Sequence, residues 1–285
     1  MTKITSVILA CLMLIGCVAF ASCGEPAAKV SIGVQSGTTG ECFLKGDADW
    51  GFEGYENINT KSYDSASLAV NDLVDGKINY VVVDAAVAKN LAAANNKIKV
   101  IDYALTKEDF GIGVDKEQSD LLASINTILK NKKAEIDAIY AKYADVTDEN
   151  SSNWSGATVP AGTYDESKNQ LVVATNAAFA PYEFTVGDAF AGIDIEIAKL
   201  IADELGMELV IMDMQFEAVV SSIGKNGVDI AVSGLTINPA REKVVNFSNP
   251  YEEGSYQVII ALKDDTTFDD CKSAAEVLAK LEALK

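Results

Sequence analysis

The chain has 285 residues, 49% of them hydrophobic and 23% charged, a composition that can bury the core of one large or two medium domains. Its 42 acidic residues outnumber 23 basic ones and give a formal charge of −19. This charge argues against a nucleic-acid partner, because binding phosphates requires a basic surface. The chain contains no histidine, so histidine bases and imidazole metal ligands are excluded.

The first residues of the chain are typical of a lipoprotein signal. Residues 1–3 give a short positive start through Lys3, residues 4–21 are mainly apolar, and small residues then lead into a cysteine. We expect a signal peptide over residues 1–22 and a lipid anchor on Cys23, with Cys17 as the alternative anchor. A plain transmembrane anchor is a second interpretation, since the apolar run is just long enough to span a bilayer.

Two cysteines, Cys42 and Cys271, lie in the remainder of the exported chain. Neither belongs to a C-x-x-C motif, so we expect no metal site, and we expect no cofactor. A disulfide between them and two free thiols both remain open.

Short apolar runs alternate with helical patterns along the rest of the chain. The predicted strands are residues 30–34, 80–83, 98–101, 171–175, 209–212, 228–232 and 258–262. Predicted helices include 65–74, 193–205 and 217–223, each followed closely by a glycine. This alternation predicts parallel or mixed α/β sheets, interrupted by a polar linker over residues 145–169.

Arg241 is the one arginine in a chain whose other basic residues are all lysines. Its planar guanidinium is suited to binding a carboxylate through two hydrogen bonds. It follows predicted strand 228–232 in a short helix opened by Pro239, and ligands of open α/β sheets bind at the carboxyl ends of strands. A solvent-exposed arginine on a helix surface is the alternative interpretation.

Two long segments carry a resemblance to a known family. The segment "LVVATNAAFAPYEF…FAGIDIEIAKLIADELGMELV…SGLTINPAREKVVNFSNPYEEG" resembles the first half of the bacterial extracellular solute-binding proteins of family 3, which supply amino acids to ABC importers. The segment "KVSIGVQSGTTGE…YVVVDAAVAKNL…LTKEDFGIGVDKEQSDLL" resembles the second half. Because the halves are in reversed order, we interpret the chain as a circular permutant whose linker joins the family's usual termini.

The resemblance implies an α/β fold of the periplasmic-binding-protein type II class, with two lobes joined by two hinge strands. The parts of this fold are assigned to residues 23–109 with 263–285 (lobe 2), 110–146 (C-terminal-type helices of lobe 1), 147–169 (linker) and 170–262 (core of lobe 1). The hinge strands are expected near residues 104–110 and 257–262. Closure of the lobes on a ligand is the expected motion.

The resemblance also implies a ligand pocket between the lobes. Arg241 would bind the α-carboxylate of an amino acid, and Asp84 its α-ammonium. The other implied ligand contacts are Gln35, Thr38, Thr39, Asn176, Phe179, Phe216, Ser233, Gly234 and Thr236. Asn176 stands where many relatives that bind glutamine or basic amino acids carry an acid, so a neutral or modestly polar ligand is expected. Asp84 as a helix N-cap and the two phenylalanines as core residues are the alternatives.

The implied function is that of a monomeric, lipid-anchored protein outside the cell that passes an amino acid to an ABC permease. It involves no catalysis. One alternative is an amino-acid sensor ectodomain, and another is an enzyme resembling cyclohexadienyl dehydratase, for which Glu183 is a candidate acid. The third alternative is an assembly error in the gene that fused two half-receptors.

Overall fold

The computed structural model describes residues 29–146, 151 and 154–284. The predicted signal peptide, with the candidate lipid-anchor residues Cys17 and Cys23, lies outside the described residues. Within the described part of the chain, no helix has the length and hydropathy needed to cross a bilayer.

Lobe 2 is built on a five-stranded sheet whose strands come from distant parts of the chain. These strands are β1 (Val30–Gln35), β2 (Ile58–Tyr63), β3 (Tyr80–Asp84), β4 (Ile98–Ile101) and β16 (Gln257–Leu262). The order across the sheet is β2-β1-β3-β16-β4, in which β1 is parallel to β2 and β3 while β16 is antiparallel to both its neighbours. The helices of this lobe are α1 (Thr39–Lys45), α2 (Ala66–Val74), α3 (Ala85–Ala94) and α9 (Ala274–Ala283).

Lobe 1 has a five-stranded sheet of its own. Its strands, in the order across the sheet, are β12 (Glu208–Asp213), β8 (Gln170–Thr175), β13 (Ile230–Ala231), β6 (Gly113–Val114) and β14 (Asn246–Phe247). A small antiparallel sheet beside it contains β7 (Val159–Pro160), β11 (Ala189–Ala191), β10 (Glu183–Val186) and β9 (Ala178–Phe179). The helices of this lobe are α4 (Ser119–Asn131), α5 (Lys133–Tyr143), α6 (Ile193–Leu205), α7 (Phe216–Ser222) and α8 (Pro239–Glu242).

Helix α6 shows how the apolar pattern specifies a helix. Ile193, Ile197 and Ile201 recur at four-residue intervals and are buried, so one face of the helix packs against the sheet. The helix ends at Gly206, whose φ of 67° is the left-handed conformation that glycine adopts at low cost. Its observed bounds are those that the sequence predicts.

The two lobes are connected by a pair of antiparallel strands, β5 (Glu108–Phe110) and β15 (Glu252–Ser255). Strand β5 leads from lobe 2 into lobe 1, and β15 leads back. The prediction of a hinge strand at residues 257–262 was wrong, because β16 lies inside the sheet of lobe 2 with Ile259 and Ile260 fully buried. An apolar run of this kind is typical of a strand covered on both faces.

The described part of the predicted linker packs against lobe 1. Trp154 stacks on Tyr143, with 4.9 Å between ring centroids, and β7 pairs with β11. The linker prediction for residues 147–150 and 152–153 lies outside the described residues.

Cys42 and Cys271 are both free thiols. Burial raises the pKa of Cys42 to about 11, so this thiol is a poor nucleophile at neutral pH.

Candidate functional site

A narrow cleft lies between the lobes and is lined by residues from both of them. Its lining consists of Gln35, Thr38, Thr39, Asp84, Phe179, Phe216, Gly234, Thr236 and Arg241. The sequence predicts each of these positions as a ligand contact. The other two predicted residues, Asn176 and Ser233, are buried directly behind the lining.

Arg241 is held in the cleft by its helix and by both lobes. Pro239 opens α8, and the Asn238 side chain caps the helix by accepting a 2.9 Å hydrogen bond from the Arg241 amide. The guanidinium donates to the carbonyl oxygen of Thr236 at 3.0 Å and, across the cleft, to that of Gly37 at 3.2 Å. Arg241 is only 8% exposed, so it is not the solvent-exposed arginine of the alternative interpretation.

Burial also affects the charge of this guanidinium. It lowers the pKa of Arg241 to about 10, and the nearby charge of Glu108 opposes that shift. At neutral pH the side chain is therefore still cationic, and it is a buried cation that an anionic ligand group would stabilise.

Asp84 ends strand β3 at the floor of the cleft and is 5% exposed. It occupies the N-cap position of α3, but its side chain makes no capping hydrogen bond, which argues against the cap interpretation. Within the described part of the chain, its Oδ1 atom has no hydrogen-bond partner. Burial raises the pKa of Asp84 well above its usual range, and the charge of Glu108 adds to this effect. A cation bound here would relieve that cost.

Two neutral amides meet at another part of the cleft. Gln35 Nε2 in lobe 2 donates a 2.9 Å hydrogen bond to Asn176 Oδ1 in lobe 1, and Asn176 Nδ2 donates to the Met214 carbonyl oxygen at 2.8 Å. Both residues are buried. Neither carries a charge that could pair with a cationic ligand side chain.

Phe179 and Gly234 fit closely together on the lobe 1 side. Gly234 has a φ of 51°, and a Cβ atom at this position would lie 3.1 Å from the Phe179 ring. Phe179 stacks on Tyr182, with 5.9 Å between centroids. Any larger residue at position 234 would strain the backbone and require this ring to shift by a few tenths of an ångström.

Comparison with known proteins finds relatives of part of the chain. Residues 171–284 match the family described as bacterial extracellular solute-binding proteins, family 3. A stretch of 95 residues is 33% identical to the arginine-binding extracellular protein ArtP of Bacillus subtilis, covering 33% of this chain and 37% of that protein. The crystal structure of the arginine-bound form of domain 1 from TmArgBP is 33% identical, with 42% of this chain and 96% of that chain covered and a TM-score of 0.29.

Residues 171–284 belong to this family.

One further relative is an enzyme. A stretch of 99 residues of this chain is 29% identical to cyclohexadienyl dehydratase of Pseudomonas aeruginosa and covers 34% of this chain and 37% of that enzyme. The matched stretches span less than half the length of both curated relatives named here.

Trp50 contacts the site residue Arg241 and was missed by sequence reasoning. It lies on the lobe 2 loop between α1 and β2, where its ring is 4.9 Å from the Arg241 guanidinium. Phe216 contacts the same group at 5.4 Å, so two aromatic rings flank the cation. On the same loop, Asp49 forms a 2.7 Å ion pair with Lys243 of lobe 1. Nothing in the local sequence indicates which part of lobe 1 this loop would meet.

Glu108, on hinge strand β5, is the second residue that was missed. It is 4% exposed, and its carboxylate accepts hydrogen bonds from Thr39, Thr106, Thr236 and Gln257. These donors come from lobe 2, from lobe 1 and from the connection between them. A hinge acid next to Asp84 and Arg241 could have been suspected from the predicted hinge at residues 104–110.

A buried pair of acids supports the turn at Ser233 and Gly234. Glu183 accepts a 2.7 Å hydrogen bond from the Ser233 hydroxyl, and Asp194 accepts bonds from the Gly234 amide at 2.7 Å and from the Tyr251 hydroxyl at 2.8 Å. Burial raises the pKa of Asp194 to about 6 and that of Glu183 well above its usual range, so both carboxyl groups are protonated at acidic pH. The Gly234 amide is thereby engaged with Asp194.

Glu183 does not line the cleft and is fully buried, which is a poor position for the catalytic acid of the dehydratase alternative. Among the residues that the structure describes, there is also no cluster of three or more acidic or cysteine side chains able to hold a metal ion.

Proposed function

We propose that this protein captures an L-amino acid between its lobes and delivers it to an ABC importer. The observation that carries the proposal is that Arg241 of lobe 1 and Asp84 of lobe 2 line the same cleft. An α-amino acid at neutral pH presents a carboxylate and an ammonium on one carbon atom. Two buried side chains of opposite charge on facing lobes complement that pattern, and each charge lowers the desolvation cost of the other.

The ligand side chain is proposed to be neutral or modestly polar. It would lie near Gln35 and Asn176, which offer hydrogen bonds but no charge. The named relatives ArtP and TmArgBP are arginine-binding proteins, so arginine is the competing ligand. A guanidinium buried against two amides would lack a counter-charge, which is costly in a desolvated cleft.

Closure of the lobes is proposed to accompany binding. The contacts that join the lobes around the cleft include the Arg241 bond to Gly37 and the Gln35 bond to Asn176. A ligand that touches both lobes stabilises the closed arrangement by its preference for that state over the open one.

The protein is further proposed to act as a monomer outside the cell, tethered by a lipid on Cys23 or, alternatively, on Cys17. The family's extracellular members support this location. Its partner would be the permease of an ABC importer. A sensor ectodomain would use the same cleft but would remain joined to a signalling protein instead of a permease.

We propose no catalytic activity. The dehydratase relative gives the enzyme alternative its basis, but Glu183 is enclosed behind Ser233 and the cleft offers no activated nucleophile. Incubation with prephenate, followed by ultraviolet absorbance, tests the alternative: sustained turnover would contradict the proposal.

Titration calorimetry with the exported chain and the twenty common amino acids tests the proposed function. We expect micromolar or tighter binding of a neutral amino acid. Arg241→Gln should weaken it on the order of a hundredfold, because a buried charge partner is lost. Lys225→Gln, an exposed basic residue of lobe 1, is the matched control and should leave affinity unchanged. Absence of binding by all twenty amino acids would refute the function, and tight binding of arginine alone would refute the proposed specificity.

A further inference from the structure

Glu108 collects hydrogen bonds from two cleft-lining threonines on opposite lobes. Its Oε2 atom accepts from the Thr39 hydroxyl at 2.7 Å and from the Thr236 hydroxyl at 2.6 Å. Its Oε1 atom accepts from Thr106 at 2.6 Å and from Gln257 at 3.1 Å. In all four hydrogen bonds the Glu108 carboxylate is therefore the acceptor.

The hydroxyl protons of Thr39 and Thr236 are both used within this cluster. Each hydroxyl has one proton and two lone pairs. The two oxygens lie 3.0 Å apart, and each is within hydrogen-bond distance of the same Glu108 oxygen. Whether both bonds go directly to Glu108 or one passes through the other threonine, no proton is left for the cleft. Toward a ligand, the two oxygens offer lone pairs.

Acceptors of this kind suit an ammonium group. Thr39, Thr236 and Asp84 all line the cleft, and Asp84 Oδ1 has no partner within the described residues. Together they provide three acceptor oxygens. A primary ammonium has three N–H donors, whereas a hydroxyl has one. A ligand with a hydroxyl in place of the ammonium would leave buried acceptors unpaired, which costs more than the absence of one favourable contact.

We propose that Glu108 is a positioning residue that fixes the hydrogen-bond polarity of Thr39 and Thr236, so that the cleft selects an α-ammonium over an α-hydroxyl group. This inference rests on the proposed amino-acid-binding function. Because one threonine belongs to each lobe, the acceptor pair is complete only when the lobes are closed. Glu108 thereby links closure to recognition of the ammonium without touching the ligand.

The test compares amino acids with hydroxy acids that carry the same side chain. The probe pairs are L-serine with L-glycerate, and L-methionine with L-2-hydroxy-4-(methylsulfanyl)butanoate, measured by calorimetry on the full exported chain. The variants are Glu108→Gln and Thr236→Val. The matched control is Glu253→Gln, an exposed glutamate on the partner hinge strand.

We expect wild type and Glu253→Gln to prefer the amino acid in each pair, and both test variants to reduce the preference ratio about tenfold or more. Thr236→Val carries the test alone if Glu108→Gln does not fold, as judged by circular dichroism. If the variants weaken the binding of amino acid and hydroxy acid equally, Glu108 has only a structural role. The inference then fails while the proposed function stands. If wild type binds neither member of a pair nor any other amino acid, the proposed function fails, and the inference with it.

Discussion

Gln35 and Asn176 connect the two lobes through a single 2.9 Å hydrogen bond between side-chain amides. Both groups are buried, and the Gln35 Oε1 atom has no partner among the described residues. The bond gives the cleft a neutral end, in contrast to the charged end formed by Arg241 and Asp84.

Replacing Asn176 by aspartate should change which amino acids bind. The new carboxylate would supply the counter-charge that a guanidinium or ammonium side chain needs in a desolvated site. We expect Asn176→Asp to raise the affinity for arginine or lysine, relative to neutral amino acids, by at least about tenfold. Competition calorimetry measures the ratio, with Asn131→Asp, an exposed residue at the end of α4, as the control. An unchanged ratio would show that the ligand side chain does not approach Asn176.

Trp50 should strengthen binding by covering Arg241 when the lobes close. Cation–π contacts contribute about 0.5–2 kcal/mol, so Trp50→Ala should weaken amino-acid binding about threefold to thirtyfold, mainly through faster release. Asp49→Asn on the same loop removes an exposed ion pair and should have a smaller effect. Stopped-flow measurement of ligand release compares the two variants. Equal effects would indicate that the loop acts as a whole and that the ring has no particular role.

Trp50 also provides a spectroscopic signal for closure. The chain contains two tryptophans, and Trp154 packs on Tyr143 away from the cleft. In a Trp154→Phe variant, all tryptophan emission comes from Trp50 beside Arg241. We expect its intensity or maximum to change on addition of a bound amino acid and to stay constant with D-amino acids that do not bind. If the Trp50 emission does not change while calorimetry shows that the amino acid binds, the lobes do not close over Arg241.

The acid pair Glu183 and Asp194 should make the protein less stable as the pH rises through the acidic range. Burial raises the pKa of Asp194 from 3.8 to about 6, so between these values the folded state holds a proton that the unfolded state has released. The free energy of unfolding therefore decreases as the pH rises from about 4 to about 6, by on the order of 2 kcal/mol. Urea unfolding of wild type and Asp194→Asn checks this. In the variant the slope should become smaller, because only the part due to Glu183 remains, and exposed Asp137→Asn should keep the wild-type slope.

The C-terminal helix lies beside the first described strand, which supports the proposal that the chain is circularly permuted. Asn57 donates hydrogen bonds to the carbonyl oxygens of Leu281 and Leu284 at 2.8 and 3.1 Å, and the adjacent Ile58 pairs with Val30. A chain in which a short loop joins residue 284 to residue 29, with new termini inside 147–153, should therefore fold and bind with unchanged affinity. A rearranged chain that stays unfolded would contradict this proposal.

The sequence predicted best what depends on short stretches of chain. Helix α6 follows from the spacing of its isoleucines and from Gly206, and Arg241 was found because it follows a predicted strand. Asp84 was found through the family resemblance of the stretch that it ends. Glu108 and Trp50 were missed because their partners are remote in sequence: Thr236 lies 128 residues from Glu108. Strand β16 was mistaken for a hinge because an apolar run does not reveal which sheet it will enter.

The proposed function places an amino acid between Arg241 and Asp84. A crystal structure of the protein with its tightest-binding amino acid tests this placement. We expect the ligand carboxylate within hydrogen-bond distance of the Arg241 guanidinium and the ammonium within hydrogen-bond distance of Asp84. A ligand bound elsewhere, or bound in the cleft with its two charged groups exchanged, would contradict it.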